Sequence, residues 1–96
     1  MNKLILTSNC PLPLKSLIET ALANEVRLLE VGIRRTERRL RTFEATYGMT
    51  TEDFLRRYEN DELDETLEFA EWIGEHRLLQ RLNQRIEALR GIRFAN

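Results

Sequence analysis

Residues that break or staple a chain are scarce in this one: 96 residues hold one cysteine, two prolines and four glycines. A single thiol, Cys10, closes no internal disulfide, so nothing asks for an oxidising compartment, and Cys10 reads as a small apolar linker residue. The one histidine, His76, stands in no Glu-x-x-His, His-x-x-x-His or Cys-x-x-Cys spacing. Metal binding and nucleophilic catalysis therefore lack the partners they need. No apolar run approaches the ~18 residues of a membrane span, and Met1 to Leu6 is too short and poorly organised for a secretion signal. The expectation is a cytoplasmic protein with no membrane partner. Charge of one sign is lacking too, since fifteen Lys plus Arg stand against sixteen Asp plus Glu. The whole-molecule field draws the chain neither to nucleic acid nor to anionic lipid.

What is present is helical periodicity. Val26, Leu29, Ile33, Thr36, Leu40, Phe43 and Tyr47 recur at alternating steps of three and four, the seam of a helix packed on a helix. Pro13 suits the first turn of that helix, and no strong breaker follows until Gly48, which fits the left-handed position after a helix end. Residues 13–47 should thus form a rod of roughly 50 Å at ~1.5 Å per residue. Thr50 with Asp53 caps a second helix over 51–59, and Met49 with Phe54 stands at the spacing of a hydrophobic staple across the cap. A third helix is expected over 64–90, with an acidic first turn, Gly91 just past its end and a seam of Phe69, Trp72, His76, Leu79, Asn83 and Ile86. Lys3-Leu4-Ile5-Leu6-Thr7 reads as one short strand, stopped by Pro11 and Pro13, whose partner is either Ile92 to Phe94 or the same strand of a second copy. The tail over 91–96 has no periodicity.

The fold expected is all-α: one domain over 1–96, a long antiparallel hairpin resembling a coiled coil, with a short connecting helix and an N-terminal strand and linker over 1–12. Aligning the seams so that paired residue numbers sum to about 112 sets Phe43 by Phe69, Leu40 by Trp72 and Thr36 by His76. Apolar layers then meet apolar layers, and the polar pair avoids the ~1–3 kcal/mol cost of a buried group without a partner. The same hairpin lays Arg34, Arg35, Arg38, Arg39 and Arg41 beside Asp64, Glu65, Glu68, Glu71 and Glu75, which favours this orientation.

One helix pairing leaves apolar surface over. The first helix has a second stripe, Leu14, Leu17, Ala21, Leu28 and Val31, and the third adds Leu78, Leu82 and Leu89. With Leu4 and Leu6 of the strand, these are the candidate protein-interface residues, expected to make a homodimer through the open end of the hairpin or to bind another protein. Arg34, Arg35, Arg38, Arg39 and Arg41 form an alternative, a basic patch for nucleic acid, with Glu37 interleaved. A strand followed by helices is also the order of ribbon-helix-helix repressors, but the break those need near Arg27 to Gly32 has poor turn chemistry here. Glu65, Glu68 and Glu71 give a third alternative, since carboxylates three apart on a helix hold magnesium in all-helical nucleotide pyrophosphohydrolases. Such a site needs facing carboxylates, and the expected register offers arginines. The acidic turn at Glu59, Asp61, Glu62 and Asp64 lacks the glycine and terminal glutamate of a calcium loop. No catalytic residue, metal ligand or cofactor is expected.

The segment Phe43-Glu-Ala-Thr-Tyr47-Gly48-Met49-Thr-Thr-Glu-Asp-Phe54, followed by the acidic turn and Glu68-Phe-Ala-Glu-Trp72, resembles a family of small helical bacterial and archaeal proteins. Some of these are encoded beside toxins and described as antitoxin-like. The likeness spans about Leu17 to Leu89. It implies a non-enzymatic protein that neutralises a partner toxin by occlusion, and it carries over no catalytic residue.

Overall fold

The computed structural model describes residues 13–92, and the expected strand, with Leu4, Leu6 and Cys10, lies outside them. Three helices follow in order, α1 (Leu14–Tyr47), α2 (Thr51–Glu59) and α3 (Leu67–Arg90). The long helices α1 and α3 pack on each other as an antiparallel hairpin, and the molecule measures 61 × 23 × 19 Å. Its radius of gyration of 19.3 Å exceeds the roughly 12–13 Å of a compact domain of this length. A thin rod has little interior. Among the described residues only Leu29, Leu40, Phe54, Phe69, Trp72 and Ile86 form the buried apolar core.

Local chemistry sets the helix ends. Pro13 precedes α1, and its carbonyl accepts from Leu17 N at 3.1 Å. At the other end Gly48 takes φ 67° and its N–H reaches the Glu44 carbonyl at 2.8 Å, the left-handed closure that glycine adopts without a Cβ penalty. Thr50 caps α2 by accepting from Asp53 N at 3.0 Å. The end of α2 is a Schellman closure: Asp61 takes φ 56°, its N–H reaches Tyr58 and the Glu62 N–H reaches Arg57 at 2.9 Å. The third helix begins at Leu67 rather than at the expected residue 64. Thr66 is the reason, because its hydroxyl accepts from Phe69 N at 3.1 Å and leaves the acidic run before it outside the helix.

The closed end of the hairpin holds most of the core. Trp72 of α3 and Phe54 of α2 are fully buried, with rings 3.9 Å apart and parallel within 2°. Phe43 of α1 stacks on the same indole at 5.4 Å, and Tyr47 meets Phe69 edge-on at 5.1 Å. These contacts move the register by about one helical turn from the expected one, for Trp72 lies level with Phe43 and Tyr47 instead of Leu40. Its anchorage explains the shift. The indole Nε1 donates to Thr51 Oγ1 at 3.1 Å, and Thr51 in turn donates its hydroxyl (2.9 Å) and backbone N–H (2.7 Å) to Glu44 Oε2. One polar chain thus ties α3 to the start of α2 and to α1, and it draws Trp72 toward the connector. Matching Thr36 with His76 is not what selects the alignment. Among the described residues no buried side-chain polar atom lacks a partner.

Replacing Thr51 by Val keeps the shape but strands the indole N–H, which should cost about 1–3 kcal/mol. Thr51→Ser should retain most of that. Urea denaturation of the two variants beside the parent checks the expectation.

Candidate interaction face

α1 has 34 residues and α3 has 24. The difference at ~1.5 Å per residue leaves roughly 15 Å of α1 without α3 alongside. Arg90, the last residue of α3, reaches Glu30 of α1 at 3.7 Å, so the overhang is the N-terminal part of α1. This is the open end, where the second stripe begins.

The stripe is exposed. Leu28 has 68% of its surface accessible, Val31 55% and Leu17 49%, and Ala21 is exposed as well, while Leu14 is half-buried. At 100° per residue the stripe lies more than a quarter-turn from the seam that faces α3, so a straight α3 cannot cover it. Beside it on the α1 surface stand Gly32 and Arg39. A Cβ at Gly32 would sit 3.5 Å from Leu82 Cδ1, and Arg39 Nε pairs with Glu75 at 2.8 Å. Leu82 therefore packs partly on α1, and Leu78 and Leu89, also half-buried, border the same broad face. A shallow groove beside them is lined by Leu78, Arg81, Leu82, Gln84 and Arg85, all of α3. With no facing wall it cannot enclose a small molecule. Leu67, 76% exposed at the first position of α3, is an apolar surface residue outside both stripes. Its signal was its place just after Thr66, off the Phe69–Trp72 seam.

The arginines are less neutralised than the sequence suggested. Arg39 alone of the five pairs with α3, whereas Arg34, Arg35, Arg38 and Arg41 are exposed and make no ion pair among the described residues. Geometry is the cause: Arg34, Arg38 and Arg41 fall on the side of α1 turned away from α3. The carboxylate triad fares worse. Glu65 precedes the Thr66 cap, so it shares no helix with Glu68 and Glu71, and among the described residues no cluster of three metal-ligating side chains forms. His76 is half-buried in the hairpin. Among the described residues no helix is long and apolar enough to cross a membrane.

Glu68 has a different partner, the Tyr47 hydroxyl, which donates to its carboxylate across the closed end. That hydrogen bond, followed by desolvation and the nearby negative charge, raises the Tyr47 pKa above its ordinary value of 10.0. No protein-family model, curated protein or solved structure matches the chain, so the functional reading rests on geometry and residue chemistry.

A raised phenol pKa means that the native state holds its proton longer than the unfolded chain does. The contribution is complete below pH 10 and is lost as pH rises through the raised value. Tyr47→Phe should accordingly be less stable than the parent at neutral pH, and the gap should narrow above pH 10 in urea titrations across pH 7–11.

Proposed function

We propose that the protein is a non-enzymatic, cytoplasmic interaction module, a homodimer joined through the open end of the hairpin, whose remaining apolar surface takes a partner protein. In the antitoxin-like reading that partner is a toxin, neutralised because the contact covers the surface it works with. The observation that supports this most is the exposure of Leu17, Leu28 and Val31 on one side of one helix. Soluble proteins rarely leave a continuous apolar lane uncovered.

Magnitudes set how such a contact behaves. Fully burying a large aliphatic side chain is worth about 1.5–3 kcal/mol, and these three begin near half exposure, so each supplies roughly half of that. Six of them across a two-fold pair then give an energy comparable with the cost of immobilising two bodies, on the order of 4–15 kcal/mol. The dimer depends on all of them being covered together, along with the half-buried Leu78, Leu82 and Leu89. Loss of one central leucine is enough to undo it.

The unpaired arginines favour a second reading, a nucleic-acid-binding regulator. Arg34, Arg35, Arg38 and Arg41 are free to contact phosphates, and Arg34, Arg38 and Arg41 share one side of α1, with Glu37 interleaved. Four phosphate contacts imply that log K falls with log salt at a slope of about −3 to −4.

Leu28→Glu should convert the dimer to a single chain with its helix content intact. Light scattering with circular dichroism reads both, and an unchanged dimer mass would remove this face from the interface. Binding to duplex DNA with the stated salt slope, abolished by charge reversal at Arg34 and Arg38, would promote the second reading over the first.

A further inference from the structure

Positive charge is concentrated at mid-length. Residues 31–42 of α1 and 76–86 of α3 hold eight arginines and one carboxylate, Glu37, whereas the closed end over 43–75 holds eleven carboxylates and two arginines. The near-neutral total thus conceals a basic belt beside an acidic end. The Arg39–Glu75 ion pair at 2.8 Å and the approach of Leu82 to Gly32 bring the two basic segments to one height, Arg38 level with Arg77 and Arg34 with Arg81. The belt has two sides. On α1, Arg38 is two residues from buried Thr36 and from buried Leu40, which at ~100° per residue sets it about 160° from each, and Arg34 and Arg41 lie beside it. On α3, Arg81 follows buried Trp72 by nine residues, about two and a half turns, so it stands on the far side from the hairpin core, with Arg77 and Arg85 one turn before and after it. Like the α1 row, these three are exposed and make no ion pair among the described residues.

We propose that each row is a separate surface for the phosphate backbone of a nucleic-acid duplex, so that one chain holds two duplexes, one on each side. This rests on the nucleic-acid reading above and adds the α3 row, which lies in a stretch with no carboxylate between Glu75 and Glu87. Arginine suits phosphate because its planar fork donates two parallel hydrogen bonds to it. Within each row neighbours stand three or four residues apart, about 5–6 Å along the axis, close enough for all three to engage one backbone. A duplex stiff over ~150 bp cannot turn around a rod 23 × 19 Å in cross-section to reach both rows, so the two sides take two duplexes. Single strands bend that far, but they are held by stacking on aromatic rings, and neither basic segment contains phenylalanine, tyrosine or tryptophan. The acidic closed end repels a polyanion and confines both duplexes to the belt.

The test counts duplexes per chain. The full chain is titrated at low salt with an excess of a short fluorescent DNA duplex, and sedimentation velocity gives the ratio of duplex to chain in the complex. Two duplexes per chain are expected. Neutralising one row, with Arg77→Gln, Arg81→Gln and Arg85→Gln together or with Arg34→Gln, Arg38→Gln and Arg41→Gln together, should leave one. All six sites are exposed and off the buried seam, so helix content by circular dichroism should not change. Because the count is per chain, it separates two rows on one copy from one row on each of two copies. A ratio of one for the parent overturns the proposal and leaves the nucleic-acid reading in place. A ratio that stays at two after either row is neutralised also overturns it, as does loss of all binding when a single row is neutralised. A parent that binds no duplex removes the nucleic-acid reading itself and the proposal with it.

Discussion

A straight helix can bury only one flank against one neighbour, and α1 carries two apolar flanks while, among the described residues, α3 is its one long neighbour. Everything distinctive about the molecule follows from that mismatch. The seam with Leu29, Thr36 and Leu40 is consumed by the hairpin, and these are the residues of α1 that are buried. The stripe with Leu17, Leu28 and Val31 is not. Length reinforces the effect, because a 34-residue helix outruns a 24-residue one and leaves three turns of α1 without its seam partner.

The two ends of the hairpin solve different problems. At the closed end six aromatic rings and a Trp72–Thr51–Glu44 hydrogen-bond chain make a small but specific core that holds three helices at once. The polar chain has geometric requirements that leucines lack, and it sets where α3 stands along α1. The open end has no such device. Its residues are interchangeable aliphatics, suited to a contact whose strength scales with covered area.

Much of this was legible from residue spacing. Steps of three and four marked both seams, Gly48 marked the end of α1, and Thr50 with the Met49–Phe54 staple marked α2; each of these is a local signal with a local cause. The start of α3 is ambiguous in the sequence because an acidic run and a threonine cap both announce a helix, and only the hydrogen bond from Phe69 N to Thr66 distinguishes them. The register was missed for a tertiary reason: Thr50 and Thr51 look alike in the sequence, yet one caps a helix and the other receives an indole from a residue 21 positions away. Counting charges along two helices ignores which side each faces, so the arginine row is less neutralised than its spacing against the acidic residues implies. Arg39 stands at the margin of the pair, while Arg34, Arg38 and Arg41 point away from it. The exposed stripe, the feature on which the functional reading stands, was visible as an excess of leucines that one helix contact could not absorb.

The central claim is that the second apolar flank of α1 is covered by another copy of the chain. Sedimentation equilibrium of the unmodified protein over a wide concentration range measures this most directly. The account predicts a reversible rise from the single-chain mass of 11.4 kDa to twice that value, with no larger species. A mass that stays at the single-chain value up to the highest soluble concentration would contradict it.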